Sequence, residues 1–257
     1  MDRIGILGCG WLGLPLGERL AAAGYSVHGT TTTPEKLSVL REKGVTPFHV
    51  DLSGSSIDPE FFDAPTIVVA IPPKLRKQTA TEYLEQMDRA SGFMSGVKHV
   101  IFVSSTSVYP DLNRVVYEDD ADSSSPLVQA EEIFVARFPV VSVIRFAGLV
   151  GPGRHPGRFL SGKETDGTAP VNIIHLEDCI EIIQKLVVSK KSVVLNGCAD
   201  AHPERKEFYS RTAEMLGVAP PKFVTGARAD FKIVSNSRLK ETLGYQFRFP
   251  DPMQMEF

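Results

Sequence analysis

The chain has 257 residues, 42% of them hydrophobic and 23% charged, with a formal net charge of −3, the make-up of a globular protein with one large domain or a domain and a smaller lobe. The slight acidic excess gives no reason to expect nucleic acid as a partner, and no apolar run is long enough to predict a membrane span. The three cysteines, Cys9, Cys179 and Cys198, form neither a CxxC pair nor a cluster with metal-ligand spacing, so reduced thiols and no metal are expected.

In chain order, Ile4-Gly5-Ile6-Leu7 predicts a buried strand, and Leu14 to Ala23 predicts a helix ended by Gly24. No basic segment leads into an apolar stretch, so the expected location is cytoplasmic. Tyr25 to Thr30 reads as a second strand, Pro34 to Lys43 as a helix closed by Gly44, and Thr46 to Val50 as a third strand. Thr66 to Ile71 is a nearly continuous apolar run, as for a strand covered on both faces, and Pro72-Pro73 stops it. A helix through Tyr83 to Met87 precedes a fifth strand, His99 to Val103, and Val140 to Phe146 makes a sixth. Gly151 to Pro170, rich in Gly, Pro and basic residues, reads as a long functional loop. Order returns with a strand at Val171 to Leu176, an amphipathic helix at Glu177 to Val188 and a strand at Ser192 to Asn196. Helices at Pro203 to Leu216 and Asn236 to Leu243 are closed by Gly217 and Gly244. This alternation predicts an α/β fold, a doubly wound parallel sheet with crossover helices.

The strongest motif is Gly8-Cys9-Gly10-Trp11-Leu12-Gly13, because it follows a strand and opens a helix. In that context Gly8 permits the tight turn, Gly10 lets the backbone approach a pyrophosphate, and Gly13 lets helix and strand pack closely. The anion would sit at the helix N-terminus, where unpaired N–H groups and the dipole favour it. Trp11 reads as packing at this loop, and Cys9 as a small, inert loop residue. An NAD-specific site places an acid at the end of the second strand, roughly 20 residues on. Here stand Thr30, Thr31 and Thr32, followed by Lys36, hydroxyls and a cation suited to a 2′-phosphate, so NADP is preferred over NAD.

Further segments fall in order along nearly the whole chain: Asp51-Leu52, Val69-Ala70-Ile71-Pro72-Pro73, Ser104 to Tyr109, Ile144 to Arg154, Ile174 to Asp178, and Ser237 to Tyr245. Together with the glycine loop they resemble an extended short-chain dehydrogenase/reductase, the branch that contains the nucleoside-diphosphate-sugar epimerases and dehydratases. The resemblance implies a Rossmann-type sheet with a small C-terminal substrate lobe, and NAD or NADP across the carboxyl ends of the strands. It divides the chain into a dinucleotide-binding domain over 1–148, to which 172–197 returns, and a substrate-binding lobe of 149–171 and 198–257. It also implies that Asp51 and Leu52 flank the adenine, that the backbone of Ala70, Ile71 and Pro72 lines the nicotinamide ribose, and that the protein forms a homodimer.

One departure matters as much as the match. Reactive members of the family carry a Tyr and a Lys four residues apart on the helix after the fifth strand, and none of the six tyrosines here has a lysine four residues later. Without a nearby cation, a phenol with a pKa near 10 is a poor base at neutral pH. The chain therefore resembles the atypical members, most of all the YeeZ-like group of NAD(P)-binding proteins that lack the pair. Two residues are candidates to replace it, Tyr109 after the fifth strand and His155 in the long loop.

Ser105 and Thr106 are candidate substrate contacts, against the alternative that Ser104 to Ser107 cap a turn. Arg154, His155, Arg158 and Lys163 suit a phosphate or carboxylate, which makes Arg154, Arg158 and Lys163 candidate substrate residues; the alternative is a solvated basic loop. His175 reads as a hydrogen-bonded structural histidine and Asp178 as an acid complementing a helix N-terminus. Two functions follow. The first is an NAD(P)-dependent oxidoreductase, epimerase or dehydratase with a non-standard acid/base, acting on a small anionic or sugar-nucleotide substrate. The second is a non-catalytic NAD(P)-binding redox sensor or regulatory protein.

Overall fold

The computed structural model describes residues 2–54, 56–75, 77–224 and 230–257. Its first half alternates as the sequence predicts: β1 (Arg3–Leu7), α1 (Gly13–Ala22), β2 (Ser26–Thr31), α2 (Leu37–Glu42), β3 (Thr46–His49), β4 (Thr66–Val69), α3 (Ala80–Phe93) and β5 (His99–Ser105). There follow β6 (Arg114–Val116), α4 (Pro126–Arg137), β7 (Val140–Phe146), β8 (Gly148–Val150), β9 (Glu164–Asp166), β10 (Ile173–His175), α5 (Leu176–Ser189) and β11 (Val193–Gly197). The chain continues through α6 (Arg205–Leu216), β12 (Lys222–Val224), β13 (Lys232–Val234) and α7 (Ser237–Leu243).

Seven strands form one parallel sheet in the order β11-β7-β5-β4-β1-β2-β3. The chain enters at β1, builds outward to β3, then crosses back to β4 on the other side of β1, so the strand order reverses between β1 and β4. The register pairs Leu7 with Val69, which sets the loops after these two strands side by side at the switch point. β4 is buried along its whole length, and Ile4, Ile6 and Leu7 of β1 are buried beside it.

Two compact units result: the chain through Ser104 with Asp122–Ile144 and Ile183–Val194, and Ser105–Ala121 with Arg145–Ile182 and Leu195–Phe257. Three expectations need correction, and one helix was not foreseen. The second helix opens as a 3-10 turn over Pro34–Lys36 before α2 begins. The strand expected at Val171 to Leu176 is shorter and pairs with β8 in a two-stranded sheet, outside the seven-stranded one. The stretch Gly151 to Pro170 is not all loop, because β9 within it pairs with β12. α4 escaped the pattern because its buried side carries Glu131 among Leu127, Val128, Ala130 and Phe134, which interrupts the apolar period. α3, by contrast, carries a legible start in Thr79 and Glu82, whose side chains each accept from the other's backbone N–H.

Asp178 is more than an acid near a helix start. It is fully buried in α5, and its carboxylate accepts from the Tyr245 hydroxyl at 2.7 Å and from the N–H groups of Arg248 and Phe249 at 2.7 and 3.2 Å. His175 is structural, as expected: Nδ1 accepts from Glu177 N–H at 3.2 Å and the ring lies 4.1 Å from that of Phe249. Asp178→Ala removes the acceptor of three donors, of which the Tyr245 hydroxyl keeps Glu181 at 3.3 Å and Arg248 is exposed, so the expected loss is roughly 1–3 kcal/mol. A lowered urea midpoint measures it.

Candidate functional site

The three motif glycines have distinct environments. Gly8 has φ +107°, and a Cβ there would sit 2.9 Å from the Ala70 carbonyl oxygen across the switch point. A Cβ on Gly13 would lie 2.2 Å from the Gly8 carbonyl oxygen. A Cβ on Gly10 would meet nothing within 4 Å. The loop is therefore closed at both ends and open in the middle. Its frame is tied to β2: the Gly8 N–H donates to the Thr30 hydroxyl and the Cys9 N–H to the Thr30 carbonyl, each at 2.9 Å. Leu12 caps α1 and offers no side-chain acceptor; in the first turn the Leu14 N–H donates to the Gly10 carbonyl at 3.1 Å and Pro15 has no N–H, which leaves the Gly13 N–H to a ligand or solvent. Burial pushes the Cys9 thiol up to about 12, against a smaller lowering by Thr30, which keeps it inert as expected.

This loop borders a cavity of about 610 Å³ within the first unit. Of the expected cofactor residues, Gly8, Gly10, Thr30, Thr31, Thr32, Lys36, Asp51, Leu52, Ala70, Ile71 and Pro72 all line it. Leu12 and Gly13 are buried and Trp11 is half-buried, and none of the three is among the lining residues. The threonines are not equivalent donors. Thr30 is buried and accepts from the loop, whereas Thr31 accepts from Thr33 N–H at 3.1 Å and so closes a local turn. Thr32 and Lys36 are exposed. Asp51 accepts from the Ser53 hydroxyl at 2.6 Å and from its N–H at 2.9 Å, and the hydroxyl bond is the main reason its carboxyl lies below its ordinary value.

Sequence reasoning missed Ser53, Lys74, Gln78 and Gln86, which line the same cavity. Gln78 donates to the Pro73 carbonyl at 2.7 Å and Gln86 to Gln78 at 2.8 Å, so two amides anchor the loop after β4 to α3. These residues belong to no motif; position after the switch-point strand was the one signal available.

The second unit holds the candidate acids. The Tyr109 hydroxyl donates to Asn196 Oδ1 at 2.6 Å and accepts from Arg145 at 2.9 Å. Arg145 also donates to the Glu118 carbonyl at 2.8 Å, and Glu118 Oε1 accepts from Asn196 N–H at 3.0 Å. A cation does therefore stand beside Tyr109, contributed by β7 from 36 residues along the chain, where no local motif could show it. Burial nevertheless outweighs it and holds the phenol above its ordinary value. Tyr109 is 2% exposed, with its hydroxyl engaged as both donor and acceptor.

His155 differs. Its Nδ1 accepts from Gly157 N–H at 3.1 Å, which places the ring proton on Nε2. Burial, then Arg158, pushes its pKa down. The neighbouring cations do not converge: Arg154 donates to the Leu149 carbonyl at 2.8 Å, Lys163 to the Phe159 carbonyl at 3.0 Å, and Arg158 is exposed. Ser105 accepts from Ser107 N–H at 3.2 Å and caps the turn Thr106–Val108, while Thr106 is buried. Among the described residues no three His, Cys, Asp or Glu side chains could share a metal ion, and no helix is long and apolar enough to cross a membrane.

Residues 3–95 match the family model described as NADP oxidoreductase, coenzyme F420-dependent. Protein YeeZ of Escherichia coli strain K12 is 36% identical to this chain over 271 residues, covering 99% of both. The chain belongs to the YeeZ family. Among solved structures, this YeeZ-family chain is similar to MoeE5 in complex with UDP-glucuronic acid and NAD, with a TM-score of 0.78, 22% identity and coverage of 96% and 94% of the two chains. It is also similar to the UDP-glucose-4-epimerase of Stenotrophomonas maltophila with bound NAD, with a TM-score of 0.75, 16% identity and coverage of 99% and 95%. The YeeZ-family chain thus has a Rossmann-like α/β fold similar to that of MoeE5 and of the epimerase.

Proposed function

We propose that the cavity beside the glycine loop holds NAD(P), with NADP ahead of NAD, and that the protein is an oxidoreductase, epimerase or dehydratase acting on a small anionic or sugar-nucleotide substrate. The observation that carries this reading is the contrast along one loop: Gly8 and Gly13 have no room for a side chain, while Gly10 faces open space. The start of α1 supplies the Gly13 N–H and the positive end of the helix dipole to a pyrophosphate. Asp51 and Leu52 would hold the adenine end, and the backbone of Ala70 to Pro72 the nicotinamide ribose. The sugar-nucleotide class draws support from MoeE5 and the epimerase, whose structures contain UDP sugars.

Exposed Thr32 and Lys36 favour the 2′-phosphate, since no carboxylate stands at the end of β2 to repel it. Lys36→Ala is expected to weaken NADPH about tenfold, the worth of one charge-assisted contact, while NADH changes little. Parallel titrations followed by nicotinamide fluorescence read the difference.

The bound cofactor supplies hydride transfer. Proton transfer falls to His155 in this reading, because its Nε2–H is a donor while the hydroxyl of Tyr109 is engaged on both sides. His155→Ala is expected to slow cofactor oxidation on a panel of sugar nucleotides and small hydroxy acids by about 100-fold with nucleotide affinity unchanged, whereas Tyr109→Phe changes stability more than rate. The sensor reading is favoured by the missing Tyr/Lys pair. Tight nucleotide binding with no turnover on any substrate of the panel would select it.

A further inference from the structure

Arg89 of α3 belongs to no motif and is not among the residues lining the cavity beside the glycine loop, yet it fixes part of that cavity's wall. Its Nη1, which carries two protons, donates to the Leu52 carbonyl at 3.0 Å and to the Gly54 carbonyl at 2.5 Å. One side chain of α3 thereby holds the loop after β3, 37 and 35 residues away along the chain. The helix is braced in turn: Arg137 of α4 donates to the Asp88 carbonyl at 3.2 Å and pairs with the Asp88 carboxylate at 2.5 Å. Arg89 itself enters none of the ion pairs among the described residues, so no carboxylate draws it from the two carbonyls. All of these residues lie within the first unit.

The clamped backbone sets where the Asp51 carboxylate stands. Oδ1 accepts from both the N–H and the hydroxyl of Ser53, so the Leu52–Ser53 peptide is held at both ends, its carbonyl by Arg89 and its N–H by Asp51. Oδ2 lies against Gly54, where an added Cβ would come within 3.0 Å of it. The Asp51 N–H closes the loop by donating to the Ser56 carbonyl at 2.7 Å. With its pKa held below the ordinary value, chiefly by the Ser53 hydroxyl, the carboxylate is ionised at neutral pH and can only accept hydrogen bonds. Such a group suits the 6-amino group of adenine and repels a purine that carries an oxygen at that position.

Resting on the nucleotide reading above, we propose that Arg89 is the positioning residue of the base subsite. By holding the carbonyls of Leu52 and Gly54 it keeps the Asp51 carboxylate where it accepts from the adenine amino group, and so makes the cavity prefer adenine to an oxo-purine without touching the nucleotide itself.

The test compares NADH with reduced nicotinamide hypoxanthine dinucleotide, in which an oxo group replaces the amino group and N1 gains a proton. Both are titrated by nicotinamide fluorescence into the full chain. The parent is expected to bind NADH about tenfold tighter, the worth of one charge-assisted hydrogen bond. Arg89→Met, which keeps an unbranched apolar stem and removes the donors, should weaken NADH about tenfold and leave the hypoxanthine dinucleotide within about twofold of its parent value. Gly54→Ala, at a backbone outside the left-handed region, presses on Oδ2 with Arg89 in place and should lower the same preference about threefold. An undiminished preference in either variant overturns the proposal while the nucleotide reading stands. Equal weakening of both dinucleotides in Arg89→Met, the mark of a merely structural role, overturns it too, as does a parent that binds the two alike. A parent that binds neither overturns the nucleotide reading itself and the proposal with it.

Discussion

Gly10→Glu abolishes nucleotide binding and leaves the fold intact: this is the expected result for a residue whose Cβ would point into open space beside a lined cavity. Nothing within 4 Å resists the new side chain, so stability should stay within about 0.5 kcal/mol of the parent, as for ordinary surface substitutions. The carboxylate would occupy the region where the pyrophosphate must approach, and like-charge juxtaposition costs several kcal/mol, or about 100-fold or more in affinity. Paired thermal melts and nicotinamide-fluorescence titrations separate the two effects. A Gly10→Glu protein that melts normally and still binds NADPH as the parent does would remove this loop from the cofactor site.

Gly13→Ala gives the opposite outcome. One methyl group would stand 2.2 Å from the Gly8 carbonyl oxygen, a backbone atom that cannot rotate aside. Gly8 cannot retreat either, because its N–H is held by Thr30 and its own Cα side faces the Ala70 carbonyl. Overpacking at such a point costs roughly 3 kcal/mol, at the upper end of the range for core insertions, and shifts the loop. The expected protein is both less stable in urea and weaker for nucleotide. Two glycines of one motif thus fail for different reasons: Gly10 through the ligand, Gly13 through the fold.

The fold was legible wherever a single physical cause governs a segment. β4 reads as an apolar run because both its faces are covered, and the glycine loop reads from spacing because each glycine answers a steric demand seen in the structure. The cavity was legible in large part: Gly8, Gly10, the threonines after β2 and the residues suggested by family resemblance line it, whereas Trp11, Leu12 and Gly13 of the motif do not. What stayed hidden depends on tertiary pairing. β8 and β10, or β9 and β12, are three-residue strands whose partners lie more than twenty residues away, too short for a period to show. Arg145 reaches Tyr109 across 36 residues, and Asp178 reaches Tyr245 across 67. Gln78 and Gln86 line the cavity only because α3 brings them back to the loop after β4.

The central claim is that the switch-point cavity between β1 and β4 takes a dinucleotide, and direct titration of the unmodified protein with NADPH and NADH tests it. Saturable enhancement of nicotinamide fluorescence is expected below about 1 mM, tighter for NADPH than for NADH. Absence of binding by both nucleotides over that range would contradict the account.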